Sequence, residues 1–226
     1  MCGRYTLTKI DPAALEARFG IDAGFDFDER PRFNIAPTDP VLAVRETARG
    51  RREAGWLRWG LLPGAWALEG TRALINARAE TIEEQPAYRE SFLARRCLIP
   101  ADGFYEWRDT EHGKKPVWIA RADGEPFAFA GIWAALADDG GTPVHSCAIV
   151  TCEPNEVVRP IHDRMPVILD PELEGTWIAD GADPAALREL LRPVSGKPLE
   201  VREVSDAVND VREDGPHLLE PPLRLF

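Results

Sequence analysis

Cysteine is scarce in this chain. The 226 residues hold four, Cys2, Cys97, Cys147 and Cys152. None forms CxxC, and no cysteine–histidine cluster has zinc spacing, so neither a metal site nor a disulfide framework is expected. Cys97, Cys147 and Cys152 sit in apolar runs and read as buried small hydrophobes. Long apolar runs are missing too. None approaches the ~20 residues that span a bilayer. The first residues lack the basic-then-apolar order of a signal peptide. A soluble, cytoplasmic protein without membrane association is the expectation. Walker A, GxGxxG, HExxH and GxSxG are all absent, so no nucleotide, metal or flavin cofactor is called for. Lysine is nearly absent: of 27 basic residues only four are lysine. Arginine, which supplies the rest, suits bidentate phosphate contacts better.

The net charge of −11 argues against indiscriminate nucleic-acid binding. It is unevenly spread. Residues 1–100 carry 15 basic and 14 acidic side chains, whereas residues 101–226 carry 12 and 24. Seven arginines (30, 32, 45, 49, 51, 52 and 58) crowd the stretch from Arg30 to Gly60 against only Asp39, Glu46 and Glu53. That pattern fits either a basic face on an acidic protein or a salt-bridged surface.

Along the chain, "GRYTL" alternates as a short strand. "DPAALEARFG" reads as a helix with Asp11 at the cap, Pro12 in the first turn and Gly20 at the stop. "RFNIAPTDP" reads as a proline-punctuated loop. "VLAVRET" and "GWLRWGLLP" are strands around a polar turn. "AYRESFLARR" has helical spacing. "CLIPADGFYEW", "PVWIARA", "PFAFAGIWAAL" and "SCAIVTC" are β-rich. "MPVIL" and "LEVREVS" are later strands, and "PELEGTWIA" and "DPAALRELLRP" are short helices. With no repeat and no long linker, the expectation is one mixed α+β domain over 1–226. Its sheet is largely antiparallel or barrel-like, its helices are peripheral, and its core spans about 2–210 ahead of a polar tail.

Four places stand out for chemistry. Once Met1 is removed, Cys2 carries a free amine and a free thiol on neighbouring carbons. The amine, with a reference pKa near 7.7–8.0, is roughly one-third neutral at about pH 7.5. Such a pair takes an aldehyde first as an imine and then closes a five-membered thiazolidine. A chance cysteine at position 2 is the plain alternative. "LINARAET" alternates Asn76, Arg78 and Glu80 on one strand face, either a site or a solvated face. "PADGFYEW" sets Glu106 among aromatics, which raises a carboxyl's pKa toward neutrality and suits it to proton transfer, unless it is an edge glutamate. "PIHDRMPVIL" puts His162 in a loop with Asp163 and Arg164, where a proton carrier and a structural histidine are both possible readings.

Nine ordered stretches, "MCGRYTLT", "RFNIAPT", "RWGLLP", "INARAET", "RRCLIPADGFYEW", "FAFAGIW", "AIVTCEPN", "IHDRMPVIL" and "VSDAVND", resemble the SRAP family (SOS response-associated peptidases). The resemblance covers roughly residues 2–210. It implies a sensor of abasic sites that cross-links to single-stranded DNA through a thiazolidine on Cys2, shields the lesion from strand cleavage, and loses Met1 by self-processing. By motif, Asn76 orients Cys2 and the opened sugar, Glu106 assists ring opening and imine formation, and His162 transfers protons. Arg78, Trp59, Trp107 and Thr151 match positions near the DNA path, with Trp59 and Trp107 available to stack on bases. Arg4 and Asn34 match DNA or pocket support. No metal or cofactor is required, and a monomer would suffice for this role. The competing readings are an N-terminal-nucleophile cysteine amidohydrolase, a peptidase acting on other chains, and a DNA-binding module without chemistry.

Overall fold

The computed structural model describes residues 2–22, 25–26, 30–62, 73–137, 143–195 and 199–222. A closed five-stranded barrel forms its centre. Its ring runs β3 (Pro40–Glu46), β4 (Arg52–Trp59), β10 (Pro143–Cys152), β9 (Phe127–Ala137), β6 (Arg96–Ala101) and back to β3. Neighbours are antiparallel except β4 and β10, which pair in parallel through Arg58↔Ser146 and Trp59↔Cys147. Closing the sheet on itself leaves no unpaired edge around the ring. The expected α+β class and barrel-like sheet therefore hold.

A second, antiparallel sheet packs beside the barrel. Its order is β13 (Leu199–Glu203), β8 (Gly113–Arg121), β7 (Gly103–Thr110), β1 (Tyr5–Leu7) and β2 (Arg32–Ile35). The chain passes from β6 to β7 at Asp102. Its buried carboxylate accepts from Thr6 Oγ1 at 2.6 Å, Thr8 Oγ1 at 2.7 Å, and the backbone N–H groups of Thr8 and Lys9 at 2.6 and 3.0 Å. These bonds tie the crossing to the segment that follows β1. Gly103 next to it is required by space: a Cβ there would lie 2.1 Å from the Trp118 indole nitrogen.

Helices cover the outside. α1 (Pro12–Phe19) starts where Asp11 accepts from the Ala14 N–H at 2.7 Å, and ends at Gly20 with φ 63°. Both signals were legible in the sequence. α2 (Pro86–Ala94), α3 (Pro171–Ile178) and α4 (Pro184–Leu190) also begin on proline. α2 is shorter than the spacing implied, because Arg96 already belongs to β6. The buried Arg96 guanidinium donates to the carbonyls of Phe92, Trp177 and Ala179, capping α2 and α3 together. The barrel is filled by aromatics: the Tyr5 ring meets Trp59 and Phe129 edge-on at 5.4 and 5.6 Å. Such contacts add about 0.5–1.5 kcal/mol each beyond burial.

One reading needs correction. "RFNIAPTDP" is not all loop: Arg32–Ile35 forms β2 against β1. The residues between Pro31 and Pro37 keep their N–H groups, so an extended ladder is open to them. The end of the chain also packs onto the fold. Val208 and Leu218 are wholly buried against Tyr105, under a partly buried Trp107.

Candidate active site

The barrel strand β10 organises the site. At Ile149 its partner β9 leaves it. On that side β11 (Met165–Pro166) takes over, with Cys152↔Met165 and Thr151↔Pro166. On the other side β5 (Asn76–Arg78) runs in parallel, with Ile149↔Asn76 and Thr151↔Arg78. The end of β10 thus carries Asn76 on one flank and the loop of His162, which leads into β11, on the other.

Cys2 lies just ahead of β1. The Tyr105 N–H donates to the Arg4 carbonyl at 3.0 Å, which docks this segment on β7. Asn76 Nδ2 donates to the Cys2 carbonyl at 3.0 Å. Asn76 is itself braced: Tyr88 of α2 donates to its carbonyl at 3.1 Å, and the Trp59 indole donates to the preceding Ile75 carbonyl at 2.9 Å. The other amide atom, Asn76 Oδ1, is buried and has no hydrogen-bond partner among the described residues. A buried acceptor left open costs stability, so Oδ1 is an acceptor free to take a donor from a bound molecule.

Glu106 of β7 is 2% exposed. Burial pushes its carboxyl up to about 7, against a smaller downward pull from the Lys114 charge. The Cys2 thiol is fully buried, and burial drives its pKa far up, with the Glu106 charge adding to the effect. Its sulfur lies 4.0 Å from the Arg4 carbonyl oxygen. The His162 ring is half-buried. The Arg164 N–H lies 3.0 Å from Nδ1, and Asp163 Oδ1 lies 2.8 Å from the same nitrogen. The two contacts require opposite protonation at Nδ1. Burial lowers the ring's pKa, and the Asp163 side chain is 88% exposed. The Arg164 contact therefore governs, and the neutral ring carries its proton on Nε2.

The four central residues are thus brought to one place: Asn76 bonds Cys2, Glu106 is felt by the Cys2 thiol, and the charges of Asp163 and Lys114 are felt by both Glu106 and His162. The six flanking positions divide. Arg78 is exposed at the end of β5 and forms no ion pair among the described residues. Trp107 is half-buried, and its indole donates to Asn209 Oδ1 at 2.8 Å. Arg4 donates to Asn34 Oδ1 at 2.9 Å and to the Val208 carbonyl at 2.7 Å. Asn34, Trp59 and Thr151 are 2%, 0% and 0% exposed. Trp59 therefore offers no face to a base, and its stacking role is withdrawn. Asn34 spends its Nδ2 on the carbonyls of Asp210 and Glu213 at 3.0 and 2.8 Å, which anchors the tail. Thr151 supports Arg164 through its carbonyl.

Three contributors escaped the sequence: Tyr88, Lys114, whose charge reaches Glu106 and His162, and Arg164. Only Arg164 had a signal, its place two residues after His162. No group of three or more His, Cys, Asp and Glu side chains suited to a metal occurs among the described residues. Cys97, Cys147 and Cys152 are buried free thiols. No helix among the described residues is long and apolar enough to cross a membrane. An apolar cavity of about 310 Å³, lined by Leu7, Leu15, Val41 and Trp56 among others, contains none of the site residues.

The chain is similar to known proteins over nearly its whole length. It is 39% identical to the Bacillus subtilis abasic site processing protein YoqW, over 97% of this chain and 99% of that one. It is 31% identical to the Escherichia coli abasic site processing protein YedK, over 98% and 100%. Among solved structures, a protein from Bacteroides thetaiotaomicron superposes with a TM-score of 0.82 at 24% identity, over 98% of this chain and all of that one. A phage-related protein from Bordetella bronchiseptica superposes at 0.69 with 30% identity, over 90% and 94%. Residues 1–211 match the family described as SOS response associated peptidase, and the chain belongs to that family.

Proposed function

We propose that this protein processes abasic sites in single-stranded DNA by bonding covalently to them through Cys2, once Met1 has been removed. The observation that carries the reading is the meeting of Asn76 with the Cys2 carbonyl beside a buried carboxyl of pKa about 7. Relatives of near-equal length carry the name abasic site processing protein.

The chemistry follows from these groups. An abasic deoxyribose is mostly a closed hemiacetal, and opening it needs an acid and a base. Glu106, half protonated near neutrality, can serve as either; His162 offers Nε2–H as donor. The neutral Cys2 amine adds to the freed aldehyde, and loss of one water gives an imine. The imine alone invites β-elimination and strand breakage. The Cys2 thiol then gives up its proton to Glu106, its sulfur bonds the imine carbon, and the nitrogen takes a proton. The five-membered thiazolidine that results removes the imine and shields the strand. Asn76 Oδ1 is placed to accept from the sugar or the amine. Arg78 suits a phosphate, and Trp107 a neighbouring base, a contact worth ~1–3 kcal/mol. Removal of Met1 by the same groups, which the family's name suggests, is part of this reading.

Intact mass spectrometry after mixing the protein with a single-stranded oligonucleotide holding one abasic site tests it. A species of protein plus oligonucleotide minus one water, stable to heat and denaturant without borohydride, is expected. A chain that retains Met1, or that forms no adduct with verified abasic DNA, refutes it. Ammonia release from glutamine would then favour the amidohydrolase.

A further inference from the structure

Glu80 remains outside the chemistry above. Its alternation with Asn76 and Arg78 suggests one shared strand face, but the fold breaks the series. β5 ends at Arg78, and the 3-10 turn Ala79–Thr81 takes Glu80 elsewhere. There it meets Arg164, whose Nη1 and Nη2 donate to Oε1 and Oε2 at 2.7 and 2.9 Å. The same Nη2 donates to the Thr151 carbonyl at 2.5 Å. Thr151 stands between Arg78 of β5 and Pro166 of β11. One guanidinium therefore joins the strand of Asn76, the end of β10 and the loop of His162. The backbone N–H of that same arginine donates to His162 Nδ1 at 3.0 Å.

A half-exposed ion pair contributes little to stability. A planar, two-bond fork contributes orientation instead. Here the fork's far end is the residue that sets the histidine ring. We propose that Glu80 is a positioning residue: its two-bond grip on Arg164 holds the His162 ring, proton on Nε2, at a fixed place relative to Asn76. The kinetic consequence rests on the abasic-site reading; the positioning itself does not. The charges of described residues that face His162 are Asp163 beside it and Lys114 from β8. Glu80 is not among them, so whatever it does to the ring passes through Arg164.

The test is Glu80→Gln in the full chain, with the His162 ring nitrogens followed by NMR through a pH titration. In the parent protein the ring should titrate below the ordinary value of about 6.5. In the variant the midpoint should rise toward it, because a loosened Arg164 N–H frees Nδ1 for a proton. Direct loss of an anion has the opposite sign, favouring the neutral ring. A midpoint that stays put or falls overturns the proposal. Arg164→Lys keeps the charge and loses the fork, so it should raise the midpoint as well; a parental midpoint there also overturns it. Adduct formation by Glu80→Gln should slow about tenfold to a hundredfold, the usual cost of a small misplacement, with no weaker retention of lesion-free single strands. An undiminished adduct rate counts against the proposal. If the parent protein forms no adduct at all, the abasic-site reading falls, and the titration still decides the positioning.

Discussion

Replacing Glu106 with glutamine removes a proton-binding group while keeping its shape, and the structure fixes the sign of the outcome. In the unfolded chain the carboxyl titrates near 4.5; in the fold, burial raises it to about 7. Below about pH 4.5 both states hold the proton, and the full stability is present. Between these values the unfolded chain has released its proton and the native state has not, so stability falls as pH rises. Above about 7 both are ionised and the loss is complete. At about 1.36 kcal/mol per pH unit, the interval amounts to roughly 3 kcal/mol. Glu106→Gln has no such slope. Urea unfolding of both proteins from about pH 4 to about pH 8 should show the variant gaining roughly 3 kcal/mol on the parent, while all other carboxylates cancel in the comparison. A difference that is flat across that range would refute the claim that burial raises this carboxyl's pKa. The same variant should slow adduct formation far more than binding of an undamaged strand. Equal losses in both would reduce Glu106 to a structural residue.

Cys2→Ala should form no adduct yet retain salt-reversible binding to single strands, as gel shifts with and without denaturant will report; a surviving cross-link excludes Cys2. Cys2→Ser should give little stable adduct, because an oxazolidine opens more readily than a thiazolidine; a parental yield contradicts the thiol's role. Arg78→Ala should weaken single-strand binding and flatten the plot of log affinity against log salt by about 0.7, the release expected for one phosphate contact on a single strand; an unchanged slope would remove Arg78 from the DNA path. Gly103→Ala should destabilise by about 1–3 kcal/mol or more in urea unfolding, since its Cβ would fall 2.1 Å from the Trp118 indole nitrogen; a parental midpoint would mean that Trp118 moves aside at no cost.

Local signals carried far in this chain. Asp11, Pro12 and Gly20 bound α1 because caps act within a few residues. Trp59 was misplaced although its phase was available: in β4, Leu57 and Trp59 alternate inward, at 1% and 0% exposure, while Trp56 faces out at 41%. The family resemblance set it near the DNA path, and the period of two turns it inward. Asn34 shows the other limit. Its partners, Asp210 and Glu213, lie 176 and 179 residues away. No spacing rule reaches so far, and the tail's composition reads as solvated. Glu80 falls between these cases. The alternation was real through Arg78, and the strand then ended where the Thr151 carbonyl of β10 turns to Arg164.

The buried thiol bears on the order of events. With its pKa driven up by burial and by Glu106, Cys2 sulfur is a poor first nucleophile. An amine at the same residue, with a reference pKa near 7.7–8.0, is the better one. Imine formation first, sulfur second, is therefore the sequence that these environments favour. It also gives Glu106 a reason to sit near 7 and not at 4.5. A carboxylate of pKa 4.5 would be too weak a base for a thiol so poorly ionised, and at neutral pH almost none of it would hold a proton for the sugar. In the reaction proposed above, one group with both forms populated would supply the proton for ring opening and then remove the one that ring closure releases.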